Sequence, residues 1–131
     1  MEKNVTLKII IEGAPRTKKN HNQILVNRRT GKRFIKPSVQ YEQYELEAGF
    51  QIPGKYRIGI NCPVNVKCLY YMPTRGRVDL VNLLEATDDI LVKNGVLKDD
   101  NSKIVAAHDG SRVLYSKENP RAEIYITRME G

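Results

Sequence analysis

The sequence predicts an α+β domain (mixed α/β) in which two helices cover a mixed β-sheet. Apolar residues alternate with polar ones near both ends and in the middle of the chain, a pattern typical of strands. Two other segments carry apolar residues three and four positions apart, as amphipathic helices do. The chain has 131 residues, enough to bury one core, so we expect a single domain spanning residues 1–131.

Strands are predicted where the alternation is regular. The first covers residues 5–11. The clearest has an apolar side chain at every even position from 58 to 70. We expect Pro63, which lies within it, to interrupt the strand or to mark a sheet edge. The remaining predictions are a hairpin about Thr30-Gly31, a second hairpin that joins 103–108 to 112–115 about Asp109-Gly110, and a last strand at 122–127.

Local end signals delimit the two helices. Pro37-Ser38 is predicted to open the first helix, because proline and serine favour the first positions of a helix. Asp79 is predicted to cap the second helix, which runs from about Leu80 to Lys93 and ends at Asn94-Gly95. The residues expected to form its buried side are Leu83, Leu84, Ala86, Ile90 and Leu91.

Composition argues against a membrane protein. No apolar run is long enough to span a bilayer or to act as a secretory signal. Cys62 and Cys68 fall on one predicted strand, about 20 Å apart in extended chain, which is beyond the reach of a disulfide. We therefore expect two reduced thiols in a cytoplasmic protein that does not associate with membranes.

The segment from Ala14 to Lys36 contains no acidic residue, and the whole chain carries a formal charge of +7. A hairpin rich in arginine and lysine suits the phosphate backbone of a nucleic acid. A solvated basic loop without a partner would have the same composition. The residues expected to bind DNA are Lys18, Lys19, Arg28, Arg29, Lys32 and Arg33.

Six of the fifteen acidic residues lie between Asp79 and Asp100. Carboxylates are preferred ligands of Mg²⁺ and Mn²⁺, and a metal-dependent phosphodiesterase needs two or three of them from separate elements. Asn82 and Glu85 share one face of the predicted helix, and Asp99-Asp100 follows it after a turn. The alternative is that the acids only stabilise a helix start and a turn.

Other titratable residues carry weaker predictions. We expect Asp88 to be solvated, and Asp89 to support its helix rather than to bind a metal. His21 and His108 are the only histidines. Either could act as a general base, but a histidine on a strand is more often packed or at the surface.

Four short motifs occur in a specific order. They are Gly13-Ala14-Pro15-Arg16-Thr17-Lys18-Lys19, Arg77-Val78-Asp79-Leu80-Val81-Asn82-Leu83-Leu84, Asp89-Ile90-Leu91 and Gly95-Val96-Leu97-Lys98-Asp99-Asp100. In this order they resemble the RusA family of Holliday junction resolvases, over nearly the full length of the chain. The resemblance implies a RusA-like fold and a homodimeric, Mg²⁺-dependent endonuclease, often of prophage origin, that makes paired nicks in four-way or other branched DNA during recombination and repair.

The resemblance also assigns roles to individual positions. Asp79 and Asp100 match catalytic, metal-binding aspartates of the family, but Val81 stands where the family has a second acid. Glu85 replaces a lysine of the family pattern, and we expect it to supply the missing carboxylate. The implied catalytic and Mg²⁺ (or Mn²⁺) site therefore consists of Asp79, Asp100 and Glu85, with Asn82 and Asp99 in support.

Two alternatives remain open at this point. The first is a catalytically degenerate protein of the same fold that binds branched DNA without cutting it, and Val81 is its main support. The second is a prophage protein that binds an acidic protein partner.

Overall fold

The predicted combination of a mixed sheet with two helices is confirmed. The structure is a computed structural model that describes residues 6–18, 23–36 and 38–129. The main sheet and its helices consist of β1 (Thr6–Glu12), α1 (Val39–Gln51), β4 (Val64–Met72), α2 (Leu80–Lys93), β5 (Val105–Ala107), β6 (Arg112–Tyr115) and β7 (Arg121–Arg128). A separate two-stranded sheet pairs β2 (Gln23–Val26) with β3 (Arg33–Lys36), as the sequence predicts for the first hairpin.

The main sheet is mixed because one edge of β4 is parallel and the other antiparallel. β7 lies between β1 and β4 and is antiparallel to both. On its other edge β4 pairs in parallel with β5 near Val64 and with β6 from Leu69 onward. The predicted hairpin between residues 103–108 and 112–115 is therefore wrong: both segments follow the same edge of β4 one after the other.

The predicted turn at Asp109-Gly110 is present and joins β5 to β6, but these two strands do not pair with each other. The side chain of Asn65 accepts a hydrogen bond from the Asp109 backbone N–H at 2.7 Å and donates one to its carbonyl at 3.1 Å. Gly110 has a φ of 85°, which favours glycine. These contacts hold the turn against β4, so the chain steps along this edge instead of folding back on itself.

One core lies between the sheet and the two helices. The even-numbered residues from Val64 to Tyr70 in β4 and from Ala122 to Ile126 in β7 are buried, whereas their odd-numbered neighbours are half-buried, because successive strand residues point to opposite faces. The helices contribute the buried residues Tyr41, Tyr44, Ala48, Leu83, Ala86, Ile90 and Leu91. The hydroxyl of Tyr70 on β4 donates to the Leu83 carbonyl at 3.0 Å and fixes the first turn of α2 against the sheet.

β4 begins only at Val64, directly after Pro63, so the predicted interruption is confirmed. Of the residues before it, Ile60 forms an isolated parallel bridge with Leu97. Both cysteines are free, as expected; Cys68 is buried, and Cys62 is half-buried and lies outside the strand. Burial raises the pKa of the Cys68 thiol to about 12, so this thiol stays protonated at neutral pH.

Both helices begin where the local signals predict. Ser38 caps α1, with its Oγ accepting a hydrogen bond from the Tyr41 N–H at 3.1 Å. α2 runs from Leu80 to Lys93, as predicted. Within the described ranges, neither helix is long and apolar enough to cross a membrane.

Candidate functional site

Asp79 caps α2 and remains exposed. Its Oδ1 accepts hydrogen bonds from the backbone N–H groups of Val81 at 2.9 Å and Asn82 at 3.4 Å. These bonds satisfy amide groups that have no partner inside the helix, which is why the chain turns into α2 at this residue. The predicted cap is confirmed, and Oδ2 takes no part in it.

The first turns of α2 carry the other polar residues expected at the site. Asn82 is half-buried and Glu85 is exposed, and their spacing of three residues places them on one face of the helix. Val81 is 67% exposed. An apolar side chain therefore stands at the surface where the family pattern has an acid, and it offers no oxygen to a cation.

Asp99 and Asp100 lie near the other end of α2. The loop that carries them is anchored to the residues before β4, since the Lys98 N–H donates to the Ile60 carbonyl at 2.9 Å. Asp79, in contrast, precedes the turn of α2 that is bonded to Tyr70, near the end of β4. A helix of 14 residues is about 21 Å long, so α2 separates Asp79 from Asp100 within one chain.

The local role of Asp99 is that of a turn residue. Its carboxylate accepts hydrogen bonds from the backbone N–H of Asp100 at 2.7 Å and from the side chain of Asn101 at 3.1 Å. These two bonds lower the pKa of Asp99. Asp100 is exposed.

The described residues of a single chain do not fit the expected Mg²⁺ site. Among them, no group of three or more histidine, cysteine, aspartate or glutamate side chains is arranged to hold a metal ion. Asp79, Asn82 and Glu85 offer oxygen atoms at one end of α2, and Asp100 offers them at the other.

Asp89 and Lys18 form an ion pair, and each side chain is about one-third exposed. The pair ties the loop after β1 to the exposed side of α2. Lys18 is one of the residues predicted to bind DNA, and in the structure its ammonium group contacts this carboxylate of its own chain. Lys19 and His21 lie outside the described residues.

The β2–β3 hairpin presents four of the basic residues predicted to bind DNA. The Asn27 side chain accepts a hydrogen bond from the Arg29 N–H at 2.9 Å, and Gly31, with a φ of 72°, completes the turn. This local bonding organises the tip without fixing the cationic side chains. The four basic residues, all of them exposed, are Arg28, Arg29, Lys32 and Arg33.

A polar pocket of about 220 Å³ lies next to Asp79. Its walls are the loop after β1, the start of α1 and the loop between β4 and α2. Arg16 and Arg77 contribute positive charge, and no acidic residue is among the described residues that line it. The sequence shows the basic residues of this site, but only the fold brings Arg16 and Arg77 to one pocket.

The structure corrects the prediction for Asp88. This residue was expected to be solvated, but it is only 7% exposed, and its Oδ2 is 2.8 Å from Nε2 of His108. A signal for burial was present, because Asp88 stands four residues after Leu84 and three before Leu91, on the apolar side of α2. The hydrogen bond to Asp88 raises the pKa of His108, and desolvation offsets only part of this effect.

Comparison with known proteins identifies no family. No family model matches the sequence. A search of curated proteins also gives no significant match.

Proposed function

We propose that this protein is a Mg²⁺-dependent endodeoxyribonuclease of the RusA type that cuts four-way or other branched DNA as a homodimer, in DNA recombination and repair in the cytoplasm. The observation that carries the proposal is the position of Asp79. Its exposed carboxylate caps the start of α2, the helix that carries Asn82 and Glu85 in its first turns. The two residues before Asp79 line a pocket that contains two arginines. A carboxylate cluster that adjoins a cationic surface suits an enzyme acting on a phosphate backbone.

The cationic hairpin supports DNA as the substrate. Its four exposed basic side chains lie in the turn and at the start of β3, in a small sheet separate from the main one, and the protein carries a net charge of +7. Contacts of this kind release counterions from DNA, so binding should weaken steeply as salt is added. They contact the backbone without reading its sequence, in keeping with selection by DNA shape.

The proposal requires a homodimer because α2 separates Asp79 from Asp100. In a two-fold dimer, the start of α2 in one protomer can lie beside the partner's Asp100, and symmetry produces two equal sites. Two sites also suit paired nicks in a junction.

An apolar stripe on α1 is the surface that we assign to this dimer. Val39, Leu46 and Phe50 are 64%, 58% and 81% exposed. At 100° per residue they lie within about 40° of one another around the helix. Three large apolar side chains on one exposed face are typical of a surface that a partner covers.

The second candidate function is binding of branched DNA without cleavage. Val81 favours it, since a position that should hold a metal ligand holds an exposed valine. In this case the basic hairpin and the pocket would bind DNA in the same way, and metal ions would not change the outcome.

A junction-cleavage assay distinguishes the two functions. Purified protein is incubated with a synthetic four-way junction and with linear duplex of the same sequence, in Mg²⁺, in Mn²⁺ and in chelator. The endonuclease is supported by paired nicks that require the metal and the junction. Tight binding of the junction with no cleavage in either metal contradicts the endonuclease and supports the binding protein.

A further inference from the structure

The pocket beside Asp79 has the composition of an anion site. It is lined by Arg16, Thr17, Ser38, Gln40 and Arg77, among others. Its volume of about 220 Å³ far exceeds the roughly 30 Å³ that one water molecule occupies. It therefore has room for a phosphate group, and the two charged side chains among the described residues that line it are both arginines.

Thr17 supplies the decisive observation. The residue is 2% exposed, and among the described residues its Oγ1 has no hydrogen-bond partner. A buried hydroxyl without a partner is unfavourable, and most buried polar groups in proteins are paired. The Oγ1 atom is covered in the observed side-chain orientation, so a rotation of Thr17 about its Cα–Cβ bond toward the pocket that it lines would give the hydroxyl a ligand oxygen as its partner.

The start of α1 adds backbone donors on the same side. Ser38 is buried and its Oγ caps the Tyr41 N–H, so this amide is satisfied. The N–H groups of Val39 and Gln40, in the first turn, have no partner inside the helix. Together with the helix dipole, they favour an anion at this end of α1.

We propose that this pocket binds one phosphate group of the nucleic-acid backbone. Arg16 and Arg77 neutralise its charge, and Thr17 hydrogen-bonds one of its oxygens. Arg77 precedes Asp79 by two residues, so the bound phosphate holds the strand next to the carboxylates at the start of α2. The assignment to a nucleic acid rests on the proposed function; the assignment to a phosphate group does not.

The experiment uses three variants with distinct expectations. Arg77→Gln removes a charge, and Thr17→Val removes only the hydroxyl. Arg128→Gln is the matched control, because the exposed Arg128 pairs with Val64 at the opposite end of β4. Thermal unfolding is measured as inorganic phosphate replaces chloride at constant ionic strength.

We expect phosphate to raise the unfolding temperature of the wild type and of Arg128→Gln, and to have much less effect on the other two variants. Without phosphate, Thr17→Val should be at least as stable as the wild type, because it loses a hydroxyl that has no partner. The phosphate site is contradicted if all four proteins respond equally, or if Thr17→Val is destabilised in chloride.

Binding of the four-way junction, measured in chelator, then shows whether the pocket binds a phosphate of the DNA backbone or only free phosphate. Arg77→Gln should bind the junction about tenfold more weakly than Arg128→Gln, since it loses a charge-assisted hydrogen bond. Equal junction affinities in these two variants, with a phosphate response that differs, would show a site for free phosphate and overturn the backbone assignment. A wild type that responds to phosphate but binds no junction refutes the proposed function and the backbone assignment while leaving the phosphate site intact.

Discussion

His108 Nε2 and Asp88 Oδ2 lie 2.8 Å apart and connect the segment after β5 to the middle of α2. The side chain of Asp88 is 10% exposed and that of His108 is 29% exposed. The second oxygen of Asp88, Oδ1, has no partner among the described residues. A buried carboxylate with one free oxygen depends strongly on its single partner, so the protonation of His108 should influence stability.

We expect stability to fall as the pH rises above 6.5, the ordinary pKa of histidine. The hydrogen bond to Asp88 raises the pKa of His108 above its ordinary value of 6.5, so the folded state holds a proton that the unfolded state releases. The contribution is fully present below pH 6.5 and is lost as the pH rises through the raised pKa. The free energy of unfolding, measured by urea denaturation at a series of pH values from below 6.5 upward, tests this expectation.

Two histidine variants identify the source of this dependence. His108→Gln should lose roughly 1–2 kcal/mol of unfolding free energy at acidic pH and much less at alkaline pH, because its charge-assisted hydrogen bond is gone. His21→Gln, which alters the only other histidine, should keep the wild-type pH profile. An unchanged pH profile in His108→Gln would exclude the Asp88–His108 pair as its origin.

Asp79→Asn and Glu85→Gln test the carboxylates at the start of α2. Asparagine still caps a helix, so Asp79→Asn should fold normally while losing at least about 100-fold in junction cleavage. Glu85→Gln should lose activity similarly if it replaces the acid missing at Val81. Glu118→Gln, a change of an exposed acid outside the site, is the control.

The informative contrast is between the first two variants. If Glu85→Gln cleaves as well as the wild type while Asp79→Asn does not, Glu85 is no ligand and the lost acid is uncompensated. Cleavage rates and unfolding temperatures are measured on the same preparations to separate chemistry from folding.

Mixed dimers test whether Asp79 and Asp100 act across two protomers. Asp79→Asn and Asp100→Asn should each be inactive alone. In a mixed dimer, one site combines both substitutions and the other combines Asp79 with the partner's Asp100, so single nicks should return. If each site lay within one chain, both sites of the mixed dimer would carry a substitution and no activity would return.

The apolar stripe on α1 predicts how the dimer can be disrupted. Phe50→Glu should shift the protein towards monomer and reduce cleavage, because it places a charge where an apolar surface is covered. Ile58→Glu makes the same change at a residue that is 64% exposed outside the stripe, and it should leave the dimer intact. Light scattering after size-exclusion chromatography measures both. A dimer that withstands Phe50→Glu would contradict the assigned surface.

Strand pairing shows where the sequence was insufficient. The segments that form β5 and β6 are separated by a turn signal, so the sequence predicts that they pair with each other as a hairpin. Both instead pair in parallel with β4, some 40 residues earlier in the chain. The hydrogen bonds that hold the turn against β4 come from Asn65, and nothing in the sequence around Asn65 indicates that its side chain will bind Asp109.

The sequence by itself determined the features that depend on neighbouring residues. Asp79 and Ser38 cap the helices because a short polar side chain reaches the amides of the next turn, and alternation set the faces of β4 and β7. The basic hairpin and the two free cysteines follow from the same local reasoning.

Only the tertiary structure decided which distant residues meet. It placed Asp79 and Asp100 toward opposite ends of α2, brought His108 to Asp88, and gathered Arg16, Thr17 and Arg77 around one pocket. The distances between such residues depend on how the helices pack on the sheet, and the local sequence pattern does not record those distances. The acidic residues could therefore be listed from the sequence, but their grouping into sites could not.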